Sequence, residues 1–331
     1  HRLDARTGKE DRSRGFPVRI TTMPRSEKDA SALNLAHGYL YAATSGYFGD
    51  APPYAGHVVT VRLSDGATHV FNTLCSNDRH LPTGSSCSQS GSGIWSRGGV
   101  VADPDPSMNG RVYAATGNGR FDASSGGRNY GDSIVALDRD GSAIADYYTP
   151  ATYAQLDSGD TDLGSTSPAM LPRQSRSRTP LLAVMGGKDG VLRLLDRRHL
   201  GGVGHEVQRI DAGEDLFATP AVWNDGGTAW VFLGLAQGVH AYRLETDARG
   251  ASRLVSAWSA SAGQSREGTT PAVSNGVLFY AASGTLYALD ARSGRKLWTG
   301  SIGDVHWQSP IVAAGRVYCA DEDGKLNAFE I

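Results

Sequence analysis

The chain has 331 residues, 40% of them hydrophobic and 20% charged, with 42 glycines and a formal net charge of −2. Charge of mixed sign and near balance excludes nucleic acid or an anionic membrane as the main partner. No apolar run approaches the length of a transmembrane helix, and short apolar runs broken by turn residues, with no long 3.6-residue period, point to an all-β chain.

The first element, Arg2-Leu3-Asp4-Ala5-Arg6-Thr7-Gly8-Lys9, reads as the end of a strand running into a turn. Its pattern recurs as Ile134-Val135-Ala136-Leu137-Asp138-Arg139-Asp140-Gly141, as Leu192-Arg193-Leu194-Leu195-Asp196-Arg197, and most fully as Leu286-Tyr287-Ala288-Leu289-Asp290-Ala291-Arg292-Ser293-Gly294-Arg295-Lys296-Leu297-Trp298. The apolar residues suit a half-buried strand, the Asp can bond backbone two residues on, and the Gly supplies positive φ for a tight hairpin. A second marker precedes each unit: Ser167-Pro168-Ala169-Met170, Thr219-Pro220-Ala221-Val222, Thr270-Pro271-Ala272-Val273 and Ser309-Pro310-Ile311-Val312. Proline lacks a donor and belongs at the first residue of a strand. A third strand lies between marker and pattern, as in Gly276-Val277-Leu278-Phe279-Tyr280-Ala281.

One unit therefore predicts four short antiparallel strands, and unit spacings of roughly 40–50 residues match the blades of a β-propeller. The expectation is a single propeller domain over 1–331, with blades near 31–75, 97–150, 167–212, 219–260 and 270–300 and partial units at both ends. Residues 1–18 could complete the unit at 309–331 and close a six-bladed ring. The preferred alternative is a piece of a seven- or eight-bladed one, since the first residues fall inside a repeat. Cys75 and Cys87 bracket a polar loop that a disulfide could close, which would point to an oxidising compartment. Cys319, in an apolar strand, reads as core.

The Ala-Leu-Asp-Ala-x-Ser/Thr-Gly-x-x-x-Trp repeats resemble those of the pyrroloquinoline-quinone-like (PQQ-like) propellers, the superfamily of the quinoprotein alcohol dehydrogenases, which also contains non-catalytic assembly scaffolds. Within 110–196 the order of motifs is similar to that of the dehydrogenases' cofactor-bearing blades. By that resemblance, Asn118 of Val112-Tyr113-Ala114-Ala115-Thr116-Gly117-Asn118 implies a ligand to a catalytic Ca²⁺, an ion that takes oxygen donors. Asp162 of Asp160-Thr161-Asp162-Leu163-Gly164-Ser165 implies the general base that takes the alcohol's hydroxyl proton, with Asp160 the lesser candidate. Lys188 of Gly186-Gly187-Lys188-Asp189-Gly190 implies the cation that contacts the quinone oxygens. The family's second metal ligand, a Glu, is missing from Thr44-Ser45-Gly46-Tyr47-Phe48-Gly49-Asp50, where Asp50 is displaced by about two positions. The Trp that stacks on the quinone aligns nearer Arg97 than Trp95.

Outside that stretch, Trp258 and Trp298 occupy equivalent outer strands and read as packing between blades. Trp307, in His306-Trp307-Gln308-Ser309-Pro310, precedes an inner-strand marker and could reach a central channel. Asp103, Asp105 and Asn109, and separately Asp321 and Asp323, lack the full Ca²⁺-loop pattern and read as hairpin turns. No zinc spacing, nucleophile elbow or phosphate loop occurs. Two functions are expected: a periplasmic or secreted dehydrogenase using PQQ and calcium on a small-molecule or polymeric alcohol, or a scaffold for a protein or glycan partner.

Overall fold

The computed structural model describes residues 1–47, 50–264, 268–306 and 308–330. The repeat is clearest in the sheet of Ala272–Ser274, Val277–Ala282, Thr285–Asp290 and Lys296–Ser301, each strand antiparallel to the next. Pro271 stands just before the first strand, where its missing donor costs no ladder bond. At the last turn Asp290 Oδ1 accepts the amides of Arg292 and Ser293, and Gly294, at φ +71°, donates back to the Asp290 carbonyl. The N-terminal segment forms the same turn: Asp4 Oδ1 accepts from Arg6 and Thr7, Gly8 donates to the Asp4 carbonyl, and Leu3 bridges Glu10. Aspartate as local acceptor and glycine at positive φ thus do at both places what the pattern predicts.

The chain divides into two compact units. The first, residues 1–167 with 199–205, holds the four-stranded sheet Asn34–Ala36, Tyr39–Ala43, His57–Arg62, Thr68–Asn72 and a second sheet of Val101–Ala102, Val112–Ala115, Ile134–Leu137 and Ile144–Thr149. Tyr41, Val58 and Phe71 of the former pack on Val112, Ala114 and Val135 of the latter. Two features depart from the repeat. Gly202–Val203 adds a parallel fifth strand beside Tyr148–Thr149, and a short helix, α1 (Tyr153–Gly159), enters the loop after that sheet. Cys75 and Cys87 form a disulfide with Cα atoms 5.9 Å apart.

The second unit, residues 168–198 and 206–331, stacks three four-stranded sheets and one of three strands, Ile311–Ala313, Arg316–Ala320 and Leu326–Glu330. Apolar clusters of Leu, Val and aromatic residues join each sheet to the next. Trp258 and Trp298 each stand opposite an alanine, Ala241 and Ala288, at a bulge. Trp258 lies over Gly294 and donates its indole N–H to the Ala291 carbonyl at 3.1 Å; Trp298 meets Phe329 edge-on at 5.0 Å. Both seal one sheet onto its neighbour. Cys319 is buried in the last sheet, where burial pushes its thiol up to about 11. Among the described residues no helix is long and apolar enough to cross a membrane.

Candidate functional site

Asn118 follows the strand Val112–Ala115 and is held from three directions. Its carbonyl accepts the Ser92 amide at 2.6 Å, its own amide donates to Asp162 Oδ1 at 2.8 Å, and its side-chain Nδ2 donates to Asp160 Oδ1 at 2.9 Å. The last bond fixes the orientation of the amide, because reversing it would set an oxygen against a carboxylate. Asn118 Oδ1 is then buried with no hydrogen-bond partner in the protein. A buried acceptor left unpaired is costly and rare in a folded chain.

The carboxylates come from one short segment. Helix α1 ends at Asp160, which adopts φ +52° and caps the helix through its amide. Asp162, 8% exposed, begins the turn Leu163–Ser165, whose first amide donates to the buried Asp132. That turn lies directly against the strand end: a Cβ on Gly164 would come within 2.5 Å of the Thr116 carbonyl carbon. A Cβ on Gly117 would stand 2.3 Å from Asp162 Oδ1 and 3.0 Å from Trp95 Nε1. Glycine is required there so that carboxylate and indole can meet over bare backbone.

Tyr54 completes the polar group. Burial first, then the charge of Asp50 and a hydrogen bond to it, and after these the charges of Asp162 and Asp160, push its phenol well above the usual range. It therefore remains a protonated donor among carboxylates. Every donor atom offered here is oxygen, from an amide, carboxylates and a phenol, the set a hard cation prefers. Among the described residues no three His, Cys, Asp or Glu side chains gather as a ready-made metal cage.

A family model described as "Outer membrane protein assembly factor BamB", built on PQQ-type repeats, matches residues 239–331. The assembly factor of that name from Escherichia coli (strain K12) is 42% identical over 64 residues, which are 19% of this chain and 16% of the relative. Among solved structures, quinohemoprotein alcohol dehydrogenase ADHIIG from Pseudomonas putida HK5 superposes with a TM-score of 0.56 at 14% identity over 87% of this chain. The chain has a β-propeller fold whose residues 239–331 match a PQQ-type repeat model. It spans 55% of the dehydrogenase, and at that identity the likeness is one of fold.

The first unit brings together Asn118, Asp160 and Asp162, the residues that the motif order nominates. Arg97 belongs to the same unit, half-buried, its carbonyl accepting the Ala32 amide. Lys188 belongs to the second unit, half-buried at the tip of a turn that Gly190 closes onto the Gly187 carbonyl. Its neighbour Asp189 grips the fully buried Arg193 through both oxygens, one at 2.9 Å. Trp307 lies outside the described residues.

Two residues escaped sequence reasoning, one at this site and one bonded to the residue after Tyr54. Trp95, set aside in favour of Arg97, is the indole over Gly117. Glu27 is a buried carboxylate whose strand, Glu27–Lys28, pairs with Ser45–Gly46, the segment in which a glutamate was sought. Its Oε1 accepts the Ala55 amide at 3.0 Å and its Oε2 the Thr21 hydroxyl, so both oxygens hold backbone and loop in place. The one available signal was a charged residue close to a strand that must be buried.

Proposed function

We propose that this chain is a quinoprotein-dehydrogenase-like propeller of an extracytoplasmic compartment that oxidises an alcohol, with calcium held through the amide oxygen of Asn118. The observation that carries this reading is that oxygen, buried and without a partner while the other polar groups of the residue are satisfied. A cation there would satisfy it, with Asp160 bordering the site. Bound PQQ would supply a two-electron acceptor, and calcium would make it more electrophilic.

The protein's own part is positional and acid–base. Asp162 takes the alcohol's hydroxyl proton on its carboxylate, kept in place by the Asn118 amide. Trp95 offers an indole beside it, and Tyr54, held protonated, keeps a donor among the carboxylates. Lys188 and Arg97 are assigned to the quinone by resemblance, and Trp307 by its place before an inner-strand marker. The disulfide fits a periplasmic or secreted location.

The test is to add PQQ with millimolar Ca²⁺ and follow binding and dye reduction with primary, secondary and polymeric alcohols. Binding with alcohol-dependent reduction supports the reading, and no binding sinks it. Asp162→Asn keeps an acceptor for the Asn118 amide, so it should abolish dye reduction while sparing quinone affinity; equal losses in both would contradict the base assignment.

A second reading, a scaffold for a protein or glycan partner, is favoured by one observation. The family model and the E. coli relative, both described as an assembly factor, match the chain at the level of sequence, and the family model falls on its C-terminal repeats. Retained partner binding without quinone binding would decide for it.

A further inference from the structure

We infer that the Cys75–Cys87 disulfide is a positioning device for Asn118, a proposal that rests on the assignment of Asn118 to a cation. The bridge closes the loop 76–86, and each of its flanks holds one end of the loop 118–131 that Asn118 opens.

On the Cys75 side, the Cys75 amide donates to Asn129 Oδ1 at 3.0 Å. Asn129 is in turn fastened to Asp122: its amide donates to Oδ1 at 3.0 Å and its Nδ2 to Oδ2 at 2.7 Å. The next amide along, Ser76, donates to the Arg128 carbonyl. On the Cys87 side, the Ser90 hydroxyl exchanges bonds with the amide and carbonyl of Tyr54. Two residues later the Ser92 amide donates to the Asn118 carbonyl at 2.6 Å, and the Ser92 hydroxyl reaches the Tyr130 carbonyl at 3.1 Å. The crosslink thus ties the two ends of the Asn118 loop through bonds that no other covalent link constrains.

Backbone conformation supplies a second observation. Cys75, Ser92 and Asp132, at φ +51°, +52° and +45°, all occupy the left-handed region at the junctions of these two loops. Side-chain-bearing residues keep that state only where the surroundings hold it, and such residues concentrate at sites that need a fixed geometry. Cys75 is held by the disulfide, by its amide bond to Asn129 and by the Asp78 amide on its carbonyl; Ser92 is held by the Asn118 and Tyr130 carbonyls and by the Thr73 hydroxyl.

The experiment uses the whole chain and two variants, Cys75→Ser with Cys87→Ser, and Asn129→Ala, which removes the bridge to Cys75 while leaving the disulfide intact. Amide hydrogen exchange is read at Ser92 and Asn118, with the strands Val112–Ala115 and Ile134–Leu137 as internal reference, and Ca²⁺ alone is titrated into each protein. Both variants are expected to lower protection at Ser92 and Asn118 at least ten-fold with little change in the reference strands, and to raise the Ca²⁺ Kd by a similar factor. Unchanged protection at Ser92 and Asn118 in both variants overturns the positioning role whatever happens to calcium. A uniform loss that includes the reference strands also overturns it, because it marks the disulfide as general stabilisation. If the unaltered protein fails to bind Ca²⁺, the cation assignment falls, yet the exchange data still decide whether the bridge positions the loop.

Discussion

At the scale of single residues the account turns on which polar atoms are satisfied. Asn118→Ala removes the orphaned acceptor, so Ca²⁺ affinity should fall at least about ten-fold in a calorimetric titration, while metal-free stability should fall only by the about 0.5–1.5 kcal/mol that the lost Nδ2 bond to Asp160 is worth. Glu27→Ala does the reverse. It strands the Ala55 amide in the interior and should cost about 1–3 kcal/mol in urea unfolding. Asp321 gives a pH test. Bonds from Asn327, then from the amides of Lys325 and Gly303, hold its carboxyl down to about 2 against an ordinary 3.8. A depressed carboxyl contributes stability that is complete above the unfolded value and lost as pH falls through the folded one. Stability should therefore decline between about pH 4 and 2 in part through Asp321, and Asp321→Asn should flatten that limb of a pH–Tm curve.

At the scale of elements the repeat was legible because its determinants are local. A strand that alternates apolar and polar residues, an Asp that bonds its own turn and a Gly at positive φ all act within ten residues, which is why Asp4 and Asp290 build the same hairpin. Helix α1 and the parallel pair at Gly202–Val203 were not legible, being too short to give a periodic signal. The candidate site was half legible. Asn118, Asp160 and Asp162 could be nominated from motif order, but the contact that joins them crosses more than forty residues of sequence, and Glu27 and Trp95 matter only through shorter crossings of the same kind. Two substitutions test the packing so inferred. Gly117→Ala should push Asp162 and Trp95 apart and lower quinone affinity more than it lowers Tm, since its Cβ falls on the carboxylate. Trp258→Ala should cost about 2 kcal/mol in denaturant unfolding, less than a fully buried tryptophan, because its ring seals one sheet on the next from a half-exposed position.

At the scale of the whole molecule the fold alone leaves the function open, since the same sheets serve enzymes and scaffolds. The proposed reading separates the two at one place: a cation site would use the buried Asn118 acceptor, and a scaffold would not need it. The most direct measurement is a titration of the full chain with PQQ in millimolar Ca²⁺, followed by dye reduction on adding alcohol. The account predicts saturable quinone binding that depends on calcium and on Asn118, and alcohol-dependent reduction that depends on Asp162. Absence of quinone binding under those conditions would contradict it.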